Sequence, residues 1–372
     1  MDVNLAFNTP ISGSYSPEDC QFLLKPIVPP NIAVTEKEFL IQSGQKHYSE
    51  MITHENPVSP LYSRLFLALV ERYRRRLAQD VLNLAGQIRI HCPEPVTLVS
   101  LARAGTPIGA LLQRALTHRL GVASRHYSIS IIRDRGIDER ALEYILYHQG
   151  HPPDSVCFVD GWTAKGVITR ELKRSIAHWN THHAEQLSDR LYVVADLGGA
   201  ADVTATIDDY AIPSGILGAT VSGLVSRSIL NEQITEGDFH GCAVYEHLRS
   251  HDRSVWFLDT LSQAMADLKP QVPPQQDVRQ RRDTIEAYLN GIRRRYGIAQ
   301  INYIKPGVLE ASRVMLRRVP SLLLLRDEQH ADVAHLRLLA DEKAVPIRHD
   351  PSMPFNATAL IQIMDTTDRQ PP

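Results

Sequence analysis

From residue 96 to residue 260, short aliphatic and β-branched runs alternate with segments of helical period, and this alternation constrains the fold more than any other feature. VTLVSLA (96–102) precedes a helical pattern around 107–119. HYSISII (126–132) precedes another around 138–149, SVCFVD (155–160) a third around 166–178, and RLYVVADL (190–197) follows. Parallel neighbours need a long crossover to return to the same end of a sheet, and a helix supplies it. The spacing therefore predicts an α/β fold with a parallel sheet, whose ligands gather at the carboxyl ends of the strands.

The flanking segments add smaller units. SYSPEDCQFLLKPI (14–27) has the signs of a helix start, with Ser16 as N-cap, Pro17 at the first position and Asp19 three residues after the cap. Leu61, Leu65, Leu69, Tyr73, Leu77 and Val81 recur every four residues and mark one face of a helix over 57–84. Arg74, Arg75 and Arg76 lie beside that stripe, as a solvated face or a binding patch. IPSGILGATVSGLVSRSIL (212–230) reads as a close-packed loop and helix. KPQVPPQQD (269–277) is a Pro/Gln linker, and a helix carrying Arg279, Arg281, Arg282 and Arg293 to Arg295 follows it. The expected layout is an extension over 1–55 packed on the core, a catalytic domain over 56–268, linker and basic helix over 269–300, and a smaller α/β module over 301–372.

Formal net charge is −2, so no overall basicity points to nucleic acid. The four cysteines form no CxxC pair, which excludes a zinc ribbon and gives no disulfide framework. No apolar run approaches the roughly 20 residues needed to span a bilayer, and the first residues lack the pattern of a secretory signal. A reduced, cytoplasmic protein without membrane contact is expected.

VCFVDGWTAKGVITREL (156–172) carries the chemistry: an apolar run ends on Asp160, a tight turn follows, and a helix begins. Such a carboxylate can accept hydrogen bonds from a sugar diol. The backbone N–H groups of Gly161, Trp162, Thr163, Ala164, Lys165 and Gly166, at a helix N-terminus, can hold a phosphate. An ordinary βα turn with an N-cap explains this stretch equally well. VSLARAGTPIGALLQRAL (99–116) repeats the plan with Arg103 in the turn. Two such loops suit a substrate phosphorylated at both ends, and a guanidinium fork suits the more charged end.

On these motifs, residues 60–260 resemble a type I phosphoribosyltransferase. With SYSPEDCQFLLKPI and IPSGILGATVSGLVSRS, they resemble more narrowly the phosphoribosyltransferase-like family of tellurite-resistance and stress gene clusters, some of whose members carry the label cysteine protease StiP. The resemblance implies Mg²⁺-dependent transfer of ribose 5-phosphate from phosphoribosyl pyrophosphate to a base-like acceptor, making a nucleoside-like metabolite. ATP-grasp and phosphatase proteins would be pathway partners. Asp160 would hold the ribose, while Ser100, Arg103, Ala104, Gly105 and Thr106 would hold the pyrophosphate, through which Mg²⁺ is mainly bound. Arg133 and Arg135 would close as a flap, and Asp196 would read the acceptor, unless it is a plain turn residue. Gly161 departs from the family pattern, which has a second acid there, and Lys165 stands where glycine is common. Two alternatives are a non-catalytic nucleotide-sensing or RNA-binding regulator and a cysteine protease. For the latter, Cys242 has His240 and His247 near it in sequence, and Cys157 reads as core.

Residues 305–347 resemble the Pelota/ribosomal-protein family of kink-turn RNA binders. Gly307, Glu310 and Arg313 match the spacing of its RNA-reading turn, Leu309 replaces the Asn, and Arg317 and Arg318 add cations. Residues 301–372 hold nine Lys/Arg and nine Asp/Glu, so charge does not separate RNA contact from packing against the catalytic domain.

Overall fold

Six parallel strands form the centre of the molecule, a computed structural model that describes residues 7–30, 32–272 and 278–362. They are β1 (Gln21–Leu23), β2 (Val96–Ala102), β3 (Ser124–Ile132), β4 (Val156–Thr163), β5 (Leu191–Asp196) and β6 (Val203–Thr206). Their order is β1-β3-β2-β4-β5-β6, with a short strand, Gly136–Ile137, antiparallel to β3. Alternate residues feed the two faces. Leu98, Cys157, Val159, Tyr192 and Val194 enter one core, whereas Val99, Leu101, Phe158, Leu191 and Val193 enter the other. Both faces are covered, as a parallel sheet requires.

Helix α1 (Pro60–His91) packs on the first face with α2 (Thr106–Arg114), and α3 (Val167–His182) packs on the second. Ser59 caps α1 by accepting from the Tyr62 N–H at 3.4 Å, and Pro60 begins the helix where its missing N–H is not needed. Leu69, Tyr73, Leu77 and Val81 of the expected stripe are buried. Arg74, Arg75 and Arg76 pair with Glu71, Asp267 and Asp208, so this run is an ion-paired surface.

Two local expectations are corrected. Residues 16–19 form a turn, closed by Asp19 N–H on Ser16 Oγ at 3.3 Å, and the chain continues as strand β1 rather than a helix. Phe22, Leu23 and Leu24 are all buried, and a strand beside β3 buries such a continuous run on both faces. Residues 212–230 contain the short 3₁₀ turns Pro213–Gly215 and Ala219–Val221 and no α-helix.

The second domain is a four-stranded sheet of β7 (Ile304–Pro306), β8 (Pro320–Leu325), β9 (Ile347–His349) and β10 (Ala357–Ile361), in the order β7-β10-β8-β9. Helices α5 (Val278–Arg295), α6 (Val308–Arg317) and α7 (Ala334–Glu342) flank it, α4 (Ser254–Ala264) belonging to the first domain. Residues 273–277 of the expected linker lie outside the described residues. Two cations of the basic helix α5 reach the first domain: Arg281 donates to the Leu197 and Ile207 carbonyls and Arg282 to that of Gly199. Among the described residues, no helix is long and apolar enough to cross a membrane.

Candidate functional site

Asp160 lies at the carboxyl end of β4, one wall of a cleft of about 860 Å³ between the two domains. Its carboxylate accepts from the Gly161 N–H at 2.7 Å, and burial pushes its pKa up to about 7. Trp162, Thr163, Ala164, Lys165 and Gly166 also line this cleft, and Gly166 makes the left-handed turn into α3 with φ 63°. The turn is tied to the second domain. Trp162 Nε1–H donates to Glu310 at 3.2 Å, and Lys165 Nζ donates to the carbonyls of Ile301 and Ile304 at 3.2 and 3.1 Å. Burial, then the charge of Lys305, pushes the Lys165 ammonium down to about 7.

Arg103 leaves the same edge of the sheet, from the strand beside β4, but its guanidinium is engaged elsewhere. It pairs with Glu55 at 2.5 Å and donates to the Val225 carbonyl at 3.3 Å. Ser100 and Thr106 are buried among polar side chains, Ser100 bonded to His126 and Thr106 to Ser128. Ala104 and Gly105 shape the turn into α2, with Gly105 N–H on the Leu101 carbonyl. Arg133 pairs with Asp134, and Arg135 with Glu50, which ties the expected flap to the N-terminal segment. Asp196 accepts from the Gly198 and Ala201 N–H groups and is a buried turn residue, its pKa raised by burial.

The expected RNA-reading turn faces the first domain. Gly307 has φ 92°, and a Cβ there would come within 2.5 Å of Leu197 Cδ1. The Val308 N–H at the start of α6 donates to Asp209 of the first domain at 2.7 Å. Glu310 pairs with Arg313 at 2.5 Å, and Arg313 stands 5.5 Å from the Trp162 ring. Burial opposes the Glu310 charge, yet Arg313 and Lys305 hold its pKa down to about 2. Arg317 donates to the carbonyls of Ile216 and Leu217 at 2.7 and 2.8 Å. Gly307, Glu310, Arg313 and Arg317 thus serve an interdomain contact.

The thiols divide three to one. Burial pushes those of Cys20 and Cys157 up and that of Cys242 up to about 12, the states of structural cysteines. His240 shares a hydrogen bond with Ser130, and His247 meets the Glu55 carbonyl, so neither histidine is bonded to Cys242. Cys92 differs. Its thiol is held down to about 7, first by a hydrogen bond from the Cys157 thiol, with Tyr192 and Arg190 adding to this against burial. The Tyr192 hydroxyl stands 3.7 Å from its sulfur, and the His91 ring packs 6.0 Å from that of Tyr192. Cys92 is 8% exposed, against 0% for Cys20 and Cys242 and 1% for Cys157. Cys92 was not legible because Cys157 and Tyr192 reach it from β4 and β5 and Arg190 from just before β5, all distant in sequence; HCPEP at a helix end was its one local sign.

A family model described as tellurite-like stress resistance cysteine protease StiP matches residues 13–262. The chain belongs to the StiP family. A second model, the PELOTA RNA binding domain, matches residues 284–363. Cysteine protease StiP of Acinetobacter baylyi is 42% identical over 367 residues, covering 94% of each chain. Hypoxanthine phosphoribosyltransferase from Trypanosoma cruzi is 17% identical over 36% of this chain and 72% of its own, with a TM-score of 0.27. A Leishmania tarentolae HGPRT-ase is 14% identical over 38% and 80%, also at 0.27, and likenesses this slight carry no argument. The expected Mg²⁺-dependent phosphoribosyltransferase is therefore overturned, because both the StiP family description and the 42% identical relative name a cysteine protease. Among the described residues no three His, Cys, Asp or Glu side chains gather as a group that could hold a metal ion.

Proposed function

We propose that the chain is a thiol-dependent peptidase whose nucleophile is Cys92. The observation that carries the reading is 42% identity, along 94% of both chains, to a protein named cysteine protease StiP. The thiol environments support the choice of residue. A cysteine nucleophile acts as thiolate, and Cys92 is the cysteine whose thiol lies below the ordinary range. Donors from Cys157 and Tyr192 stabilise the thiolate, with the Arg190 charge beside them. His91, next in sequence and packed on Tyr192, is assigned as the group that protonates the leaving amine. Attack of the thiolate on a peptide carbonyl forms an acyl-enzyme and releases the amine, and water then frees the acid.

Hydrolysis of an unfolded protein by the full chain tests this, compared with single Ala variants of the four cysteines. Cys92→Ala is expected to lower the rate at least about a hundredfold, with His91→Gln intermediate. The rate should rise with pH through about 7 and then level, because the thiolate is the active form. Full activity in Cys92→Ala would remove this residue from the reaction.

A further inference from the structure

Cys92 closes α1 as its C-cap, at the amino edge of the sheet, and Cys157 is the second residue of β4. The register that sets Val159 beside Tyr192 puts Cys157 on the same face, diagonal to Tyr192. The Tyr192 hydroxyl stands 3.7 Å from the Cys92 sulfur, and the two thiols share a hydrogen bond. Two sulfurs from distant parts of the chain are thus in contact, an arrangement that peptide hydrolysis by a single thiolate does not require. Their access to solvent differs. Cys92 is 8% exposed and Cys157 1%, so a small oxidant meets Cys92 first and Cys157 is reached from it. Cys20 and Cys242 are fully buried, their thiols raised by burial, and serve as controls within the chain.

We propose that Cys92 and Cys157 form a reversible disulfide on reaction with a hydroperoxide, with Cys92 as the peroxide-reactive thiol and Cys157 as the resolving one. The Cys92 thiolate attacks one peroxide oxygen, the O–O bond breaks, and the sulfur becomes a sulfenic acid. The departing hydroxide takes up the proton that Cys92 released on ionising. The Cys157 sulfur then attacks the Cys92 sulfur, the S–O bond breaks, and the Cys157 proton leaves with the hydroxyl as water. The two thiols lose two electrons in all, and hydrogen peroxide is reduced to two waters. Tyr192, kept protonated first by burial, is placed to donate to the departing oxygen. A reactive thiol beside a resolving one is captured as the disulfide before further oxidation destroys it. Closing the bond removes the free thiol and switches hydrolysis off. That consequence rests on Cys92 being the nucleophile, whereas the bond itself does not.

Peptide mapping of the full chain without reductant, after a small molar excess of hydrogen peroxide at about pH 7 and blocking of free thiols, tests the assignment. The expected product is one linked pair of peptides joining Cys92 to Cys157, opened by dithiothreitol, with Cys20 and Cys242 recovered as blocked thiols. In Cys157→Ser the resolving sulfur is gone, and Cys92 should accumulate sulfinic and sulfonic acids at least about tenfold above the native chain, beyond rescue by dithiothreitol. The native map needs no variant and stands if Cys157→Ser folds poorly. Peptidase activity followed alongside separates the two readings: full activity in the cross-linked chain supports the disulfide and removes Cys92 from hydrolysis. Over-oxidation of Cys92 in the native chain without a link, or a link from Cys92 to another cysteine, would overturn the proposal and leave the peptidase reading standing. So would full recovery of the Cys92 thiol by dithiothreitol in Cys157→Ser.

Discussion

Burial of Asp160 makes proton binding to its carboxylate stronger in the fold than in the unfolded chain, with the pKa moving from 3.8 to about 7. The folded state therefore holds more protons across that window, and stability falls as pH rises through it. Asp160→Asn removes this dependence. It is expected to melt higher than the native chain at about pH 8, with the gap closing near pH 4, and equal gaps at both ends would contradict the sign. The place of Asp160 towards the end of a strand, beside a turn, was legible in sequence because its signal is local, an apolar run ending on an acid. The engagement of Arg103 was not, since Glu55 is 48 residues away and nothing near either residue announces the pair. Cys92 was hidden for the same reason.

Among elements, α6 decides how the two domains meet. Asp209 accepts from the Val308 and Asn356 N–H groups, both at 2.7 Å, so a first-domain carboxylate caps a second-domain helix. Leu309, from the next residue of that helix, is buried and packs at Gly215, where a Cβ would come within 2.5 Å of it. Leu309→Ala should lower unfolding stability by about 2–5 kcal/mol in urea titration, the range for a large buried side chain cut back to a methyl. A loss below about 1 kcal/mol would show that this contact contributes little. The βα alternation was readable because period 2 and period 3.6 are properties of the chain itself. Residues 14–27 misled because Ser16-Pro17 is a good helix start, and only the neighbouring strand β3 makes the strand the better use of Phe22–Leu24.

Across the whole molecule, one apolar cluster runs from Leu98 and Val194 of the sheet to Val308, Val314 and Leu323 of the second domain. The domains are therefore expected to unfold together, in a single calorimetric transition, and two separated transitions would contradict a shared core. This union was invisible in sequence. Equal numbers of acids and bases in the last 72 residues said nothing about a partner, and the turn that resembles an RNA reader uses the same donors for the first domain.

The central claim is that the thiol of Cys92 attacks a peptide carbonyl. Its most direct test is to treat the native chain at about pH 7 with a peptidyl chloromethyl ketone and locate the adduct by peptide mapping. The account predicts stoichiometric modification at Cys92, with peptidase activity lost in proportion and Cys20, Cys157 and Cys242 untouched. An adduct on another cysteine, or full activity after Cys92 is modified, would contradict it.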